Sequence, residues 1–165
     1  MLRQRRRKRK KAVELTVQIF GGIDILINNA SAIFLSCTEN LDMKRYDLMQ
    51  NINTRGTFLC TKYFLSYLKK RPIAHIPTIS PDIKEITKEE WFKDHVAYYT
   101  AKFGMSICTL GMTEKFKQKC YNNIGVNCLW PETVIATAAA YNVLGGDALM
   151  KVAQIMADAN YVIMT

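Results

Sequence analysis

The stretch "FGGIDILINNAS", residues 20–31, decides the fold prediction because two kinds of secondary structure meet within it. The residues before it, "AVELTVQIF", are compatible with the end of an amphipathic helix, and the two glycines stop that helix. The apolar run "IDILIN", residues 23–28, has the length and composition of a short buried strand. The stretch therefore predicts a helix followed by a strand.

Two long helices are predicted further along the chain. Apolar residues recur at three- and four-residue steps from Leu48 to Tyr67, which indicates a helix over about residues 44–70 that ends before Pro72. Helical spacing returns from Tyr98 to about Lys119. A further helix is expected between Gly145 and Ile163.

Two more strands are predicted between and after these helices. "IAHIPTIS" is interpreted as a strand over residues 73–79, although Pro77 lacks an N–H and suits an edge or a local irregularity better than a central position. The apolar run at residues 124–129 is the third strand, and Pro131 ends it. The alternation predicts an α/β fold: the C-terminal portion of a Rossmann-like, doubly wound parallel sheet, with about three parallel strands flanked by helices.

The positive charge is concentrated at the N-terminus. The net charge is +9, but "RQRRRKRKK", residues 3–11, holds eight of the 23 basic residues. We interpret residues 1–11 as a disordered, solvated extension, or alternatively as the charged start of the following helix, and residues 12–165 as one domain. Nuclear targeting, or weak attraction of nucleic acid to residues 3–11, is the less favoured functional interpretation.

Composition argues against several other classes of protein. The five cysteines are scattered singly and the two histidines are isolated, so we expect reduced thiols, no disulfide framework and no metal site. No apolar run approaches the roughly 20 residues that a membrane-spanning helix needs, and no apolar signal segment is visible. An intracellular protein without a membrane span is expected.

One pair of residues raises the question of catalysis. In "AYYTAKFGMS", residues 97–106, Tyr98 lies four positions before Lys102, so both side chains occupy the same helix face. A tyrosine needs a nearby cation to act as a base at neutral pH, and a lysine one turn away could supply it. The spacing alone is also compatible with an ordinary helix, so the surrounding motifs must decide.

The order of small motifs resembles the short-chain dehydrogenase/reductase superfamily. "NNAS" follows the first strand, "NINTRG" lies in the next helix, Ser80 ends the second strand, Tyr98 and Lys102 open the third helix, and "WPET" follows the last strand. Within the superfamily, the chain resembles the hydroxysteroid dehydrogenase-like members through "FGGIDILINNASAI", "NINTRGTFL" and "NCLWP". The resemblance covers essentially everything from Ala12 onward.

This resemblance implies an oxidoreductase that transfers a hydride between NADP or NAD and a carbonyl or alcohol. It implies that Tyr98 exchanges a proton with the substrate oxygen, that Lys102 lowers the pKa of Tyr98 and holds the nicotinamide ribose, and that Ser80 polarises the carbonyl. Asn53 would position the lysine through backbone and water contacts. The residues expected to contact the cofactor are Asn29, Ala30, Tyr98, Lys102, Pro131 and Thr133.

The sequence departs from the superfamily's pattern at the phosphate-binding turn. No T-G-x-x-x-G-x-G turn is present, so we expect the first three strands and the pyrophosphate site to be missing and cofactor binding to be impaired. Pro81 occupies the place of the more usual catalytic serine, which leaves Ser80 one position earlier. Glu132 replaces the usual glycine after Pro131.

Two functions remain open at this point. The first is the oxidoreductase, with a lipid-like carbonyl or alcohol as substrate by resemblance and activity in doubt. The second is a non-catalytic chain that associates, as a homo- or heterodimer, with a full-length relative through residues 44–70 and 98–119, where Gly56, Gly104 and Gly111 would permit close contact. Resemblance implies a peroxisomal or mitochondrial location; with no targeting signal visible, cytoplasm or nucleus is the alternative.

Overall fold

The structure is a computed structural model that describes the backbone of residues 2–144 and 151–165 and the side chains of residues 10–143 and 151–165. The helices are α1 (Leu2–Phe20), α2 (Met43–Ile52), α3 (Thr54–Leu68), α4 (Val96–Gln118), α5 (Ala138–Leu144) and α6 (Gln154–Met164). The strands are β1 (Ala74–Ile79) and β2 (Ile124–Leu129). Of the helix predicted between Gly145 and Ile163, residues 145–150 lie outside the described residues, residues 151–153 are not helical, and α6 forms the remainder.

Three segments pair in one parallel sheet. β1 and β2 are parallel and in register from Ala74 opposite Ile124 to Ile79 opposite Leu129. Residues 23–28 lie on the other side of β1, joined by two isolated parallel bridges, Ile25 to His75 and Asn28 to Thr78. The predicted α/β fold, with a parallel sheet flanked by helices, is confirmed.

Pro77 explains why the third segment is joined by bridges instead of a continuous ladder. The His75 N–H donates to Asp24 O at 2.9 Å, and the Ile79 N–H donates to Asn28 O at 3.1 Å. The donor between them would be residue 77, and proline has no N–H. Pro77 therefore lies in the central strand, where it produces the local irregularity that was one of the two predicted alternatives, on the side where its N–H is missing.

The helix predicted over residues 44–70 is interrupted at Asn53. Asn53 separates α2 from α3 and has a ψ angle of −79°, well outside the usual helical value of about −42°. Its N–H still donates to Met49 O, and its carbonyl accepts from the Thr57 N–H. Backbone hydrogen bonds therefore bridge the break, although the chain changes conformation at Asn53.

The basic run is helical in the structure. α1 begins at Leu2, so residues 2–11 form its first turns, which corresponds to the second of the two interpretations and differs from a disordered extension. Arginine, lysine and glutamine have high helix propensity, and the run extends a helix that is already formed from Ala12 onward. Val13 is buried, which anchors the helix to the core.

The core lies between the sheet and the helices α1, α3 and α4. Its buried apolar members come from every one of these elements and from residues 23–28: Val13, Ile23, Leu26, Leu68, Ala74, Ile76, Phe116 and Ile124. These positions are the apolar positions of the predicted helices and strands. The core thus fixes α4 against the sheet, which places its N-terminal turns near the ends of the strands.

Gly104 has a role inside the chain. A β-carbon added there would lie 2.8 Å from Thr54 Cγ2, and closer still to the Thr54 hydroxyl. The Thr54 hydroxyl donates to Ala101 O at 2.9 Å, so α3 and α4 touch at this point. Gly104 therefore allows α3 to pack on α4 within one molecule, whereas an added β-carbon at Gly111 would meet no atom within 4 Å.

Candidate active site

The predicted site residues gather where the parallel strands end. Residues 23–28 end at Asn28, β1 ends at Ile79 and β2 ends at Leu129, and the carboxyl ends of parallel strands meet at one edge of a sheet. The Ser80 N–H donates to Leu129 O at 3.1 Å and ties two of these ends together. α4 brings Lys102 to this edge in its second turn, and Tyr98 lies one turn earlier on the same helix.

Lys102 is buried and bound to the end of β1. Its Nζ atom donates to Ile79 O at 2.6 Å, and the residue is 3% exposed. Burial lowers the pKa of the Lys102 ammonium to about 8, because the charged form loses hydration. The Nζ atom also lies over the ring of Trp130, 5.1 Å from its centroid.

Tyr98 is partly buried at the start of α4 and packs against Tyr99, with 5.5 Å between the ring centroids. Burial, followed by the effect of Tyr99, raises the pKa of Tyr98 to about 12. This direction is opposite to the lowering that Lys102 was expected to cause. The Lys102 ammonium is directed at the Ile79 carbonyl instead, so Tyr98 remains a neutral phenol at pH 7.

Ser80 lies directly after β1 and is fully buried. Its hydroxyl donates to Cys128 Sγ at 3.2 Å. Ser80 and Cys128 also line a cavity of about 480 Å³ between α4 and β2, whose wall includes Trp130. Ser80 has no exposed surface in this conformation, so its hydroxyl is engaged by Cys128 and is not open to a molecule in the cavity.

Asn53 serves the loop after the first strand segment. It is fully buried; its Oδ1 accepts from the Ala32 N–H at 2.7 Å and its Nδ2 donates to Ala32 O at 3.0 Å. No hydrogen bond joins its side chain to Lys102 in the described part of the chain. The expected positioning of Lys102 by Asn53, through backbone and water contacts, stays a prediction.

The residues expected to contact the cofactor fall into two groups. Tyr98 and Lys102 are held by α4, whereas Asn29, Ala30 and Thr133 are exposed and Pro131 is half-buried. Asn28, and not Asn29, is the buried amide of "NNAS": its Nδ2 atom lies 3.4 Å from both Thr61 Oγ1 and Thr78 Oγ1. The buried Asn28 thus anchors the start of this loop, and Asn29 and Ala30 lie on the surface after it.

Sequence reasoning missed three contacts at this edge. They are the Ile79 carbonyl as the acceptor for Lys102, Cys128 as the partner of Ser80, and the Trp130 ring beside the Lys102 ammonium. The only sequence signal was an aromatic residue between the last strand and Pro131. Among the described residues, no group of three or more His, Cys, Asp or Glu side chains could hold a metal ion.

Comparison with known proteins decides the family. The family model for short chain dehydrogenases matches residues 2–144. The chain belongs to this short-chain dehydrogenase family. The match covers every residue expected at the site, and the family consists of oxidoreductases that use NAD or NADP.

Named relatives give the same answer at higher similarity. Hydroxysteroid dehydrogenase-like protein 2 of Xenopus laevis is 52% identical over 157 residues, which cover 93% of this chain and 36% of that protein. The Homo sapiens protein of the same name is 50% identical over 153 residues, which cover 91% of this chain and 35% of that protein. The predicted resemblance is confirmed, and the chain spans about a third of the length of these relatives.

A solved short-chain dehydrogenase has the same fold. The crystal structure of a short chain dehydrogenase from Mycobacterium thermoresistibile is 41% identical with a TM-score of 0.83, covering 95% of this chain and 55% of that chain. Proteins of the short-chain dehydrogenase family act on small molecules and often form dimers. Among the helices of the described residues, none is long and apolar enough to cross a membrane.

Proposed function

We propose that this chain carries the proton-transfer half of an NAD(P)-dependent oxidoreductase site, which acts on the carbonyl or alcohol of a lipid-like small molecule. The observation that carries the proposal is the position of Lys102. Its Nζ atom donates to the carbonyl of Ile79, which ends β1 and precedes Ser80 in sequence. Lys102 also follows Tyr98 by one turn of α4. Burying a lysine ammonium destabilises the fold. A site that uses a cation at this place would explain why a lysine is buried there.

Tyr98 is the proton donor in this proposal. With a pKa of about 12, its phenol is protonated throughout the neutral range and can give its proton to a carbonyl oxygen that gains negative charge. At neutral pH the same pKa leaves very little of the phenolate that would act as the base in alcohol oxidation. We therefore assign Tyr98 the role of proton donor in carbonyl reduction.

A nicotinamide cofactor, when bound, supplies the hydride that reaches the carbonyl carbon. The chain's residues fit the nicotinamide end of such a group: Lys102 offers donors at the strand end, and residues 29–31 have no described partner for their backbone N–H groups. For the pyrophosphate, the sequence offers no glycine-rich turn. We therefore propose that the chain by itself binds the cofactor weakly.

The experiment that tests this function is a reductase assay with one matched pair of variants. NADPH or NADH oxidation would be followed with a medium-chain aldehyde, a fatty-acyl ketone and a steroid ketone as substrates. Tyr98→Phe should abolish any carbonyl-dependent oxidation, because it removes only the transferable proton. Tyr99→Phe, which keeps the ring that packs on Tyr98, should retain it. Equal rates for the two variants would contradict the role of Tyr98.

A second candidate function is association with a full-length relative. The observation that favours it is a set of apolar side chains left exposed on α3 and α4: Phe58 is 50% exposed, and Ile107 and Leu110 are each 56% exposed. Gly111 adds open space on the same helix. Sedimentation velocity with hydroxysteroid dehydrogenase-like protein 2 tests it: Ile107→Lys should abolish a mixed species and Val162→Lys on α6 should not. A monomer in every mixture would exclude this function.

A further inference from the structure

The Lys102 ammonium has two neighbours of different chemistry. On one side, Nζ donates to Ile79 O at 2.6 Å; on the other, it lies over the ring of Trp130, 5.1 Å from the centroid. An ammonium has three N–H donors, and within the described residues Ile79 O is the only hydrogen-bond acceptor for Nζ. The negative face of an indole ring attracts a cation, most strongly where water is excluded.

Trp130 contacts Lys102 and also lines the cavity. It follows β2 directly, and Leu129 O accepts from the Ser80 N–H at 3.1 Å, so the backbone before Trp130 is tied to the end of β1. The residue is half-buried, and it also lines the 480 Å³ cavity between α4 and β2. One side chain thus borders both the buried cation and the space in which a ligand could lie.

We propose that Trp130 is a positioning residue for Lys102, whose ring face keeps the side chain charged and extended toward the Ile79 carbonyl. Only the expected effect of Trp130 on catalytic turnover rests on the proposed function. As a contact between two side chains it stands without any cofactor. A ligand that displaces the ring from Lys102 would, in turn, loosen the lysine at the strand end.

No other side chain described around Lys102 stabilises its charge. Tyr98 precedes it by one turn on α4 and is a neutral phenol at pH 7, and Cys128 of β2 engages Ser80. Asp82, in the loop after β1, lines the cavity but is exposed and has no hydrogen bond or ion pair with Lys102 among the described residues. The pKa of Lys102 is lowered by burial, with no charged neighbour among its causes. The charged form therefore depends on the Ile79 carbonyl and the indole.

The test is the pKa of Lys102 measured by ¹³C NMR of the lysine ε-carbons in the full chain, with the Lys102 signal assigned by its loss in Lys102→Arg. Trp130→Leu should lower the pKa by roughly one unit, as expected for the loss of a desolvated cation–π contact. Trp130→Phe should lower it less, because phenylalanine binds a cation more weakly than tryptophan does. Leu110→Ala, which opens the same cavity two helical turns along α4, should leave it unchanged.

The same measurement also defines the result that would overturn the proposal. An unchanged or raised pKa in Trp130→Leu would mean that the ring only excludes water, and the proposal would be wrong. If Trp130→Leu does not fold, Trp130→Phe decides by the same criterion. Since neither cofactor nor substrate enters the measurement, an inactive chain with the predicted pKa change would reject the proposed function and retain this inference.

Discussion

The side-chain amide of Asn53 binds both backbone polar groups of Ala32, accepting from its N–H at 2.7 Å and donating to its carbonyl at 3.0 Å. This reciprocal pair joins the break between α2 and α3 to the loop that follows residues 23–28. The loop includes Asn29 and Ala30, which we expect at the cofactor. Asn53 thus supports the site through the backbone of the loop.

Replacing Asn53 should therefore destabilise the fold. Asn53→Ala removes two hydrogen bonds at a fully buried position, and we expect a loss of about 1–3 kcal/mol in the free energy of unfolding. Asn51→Ala, which removes an exposed bond to Asp47 O in the same helix, should change it by less than about 0.5 kcal/mol. Urea denaturation of the two variants checks this, and equal losses would contradict the buried role of Asn53.

Two glycines on α4 should respond oppositely to alanine. Gly104→Ala places a β-carbon against Thr54 and should cost about 1–3 kcal/mol of stability. Gly111→Ala enters open space and should stabilise by about 0.5–1 kcal/mol through helix propensity. Thermal unfolding of both variants measures the difference. A Thr54→Ala background should reduce the cost of Gly104→Ala, and no reduction would mean that the strain lies elsewhere.

The strand segments and the Tyr98 helix could be predicted from sequence because apolar periodicity reflects burial directly. The break at Asn53 could not, since it is fixed by a hydrogen bond to Ala32, 21 residues away. The direction of the Lys102 side chain likewise depends on the Ile79 carbonyl, which carries no sequence signal. Residues 2–11 were expected to be disordered because of charge repulsion, but they are helical, because local helix propensity outweighs that repulsion.

The buried lysine should make stability rise with pH. Burial lowers the pKa of Lys102 from 10.5 to about 8, so between these values the unfolded chain binds more protons than the folded one, and the free energy of unfolding increases with pH. Relative to Lys102→Met, the wild type should gain about 3 kcal/mol from below pH 8 to pH 10.5. Tyr98 is present in both proteins, so its own titration cancels. A pH-independent difference in urea denaturation would contradict a lowered pKa.

The basic run should carry any affinity for polyanions. Changing Arg5, Arg6, Arg7 and Arg9 to glutamine keeps helix propensity but removes four charges. Binding to a generic DNA duplex should weaken, and the slope of log affinity against log salt concentration should fall by up to roughly 3–4. The matched control changes Lys62, Lys115, Lys117 and Lys119 to glutamine. If this control weakens binding equally, the affinity is a property of the whole surface.

The central claim is that Lys102 belongs to a nicotinamide-binding site. Saturation-transfer NMR with millimolar NADPH and NADH tests it directly, because it reports which protons of the cofactor touch the protein. We predict the strongest transfer to the nicotinamide and its ribose, lost in Lys102→Met and kept in Lys115→Met, which alters an exposed lysine of the same helix. Transfer that is absent, that favours the adenine, or that survives in Lys102→Met would contradict the claim.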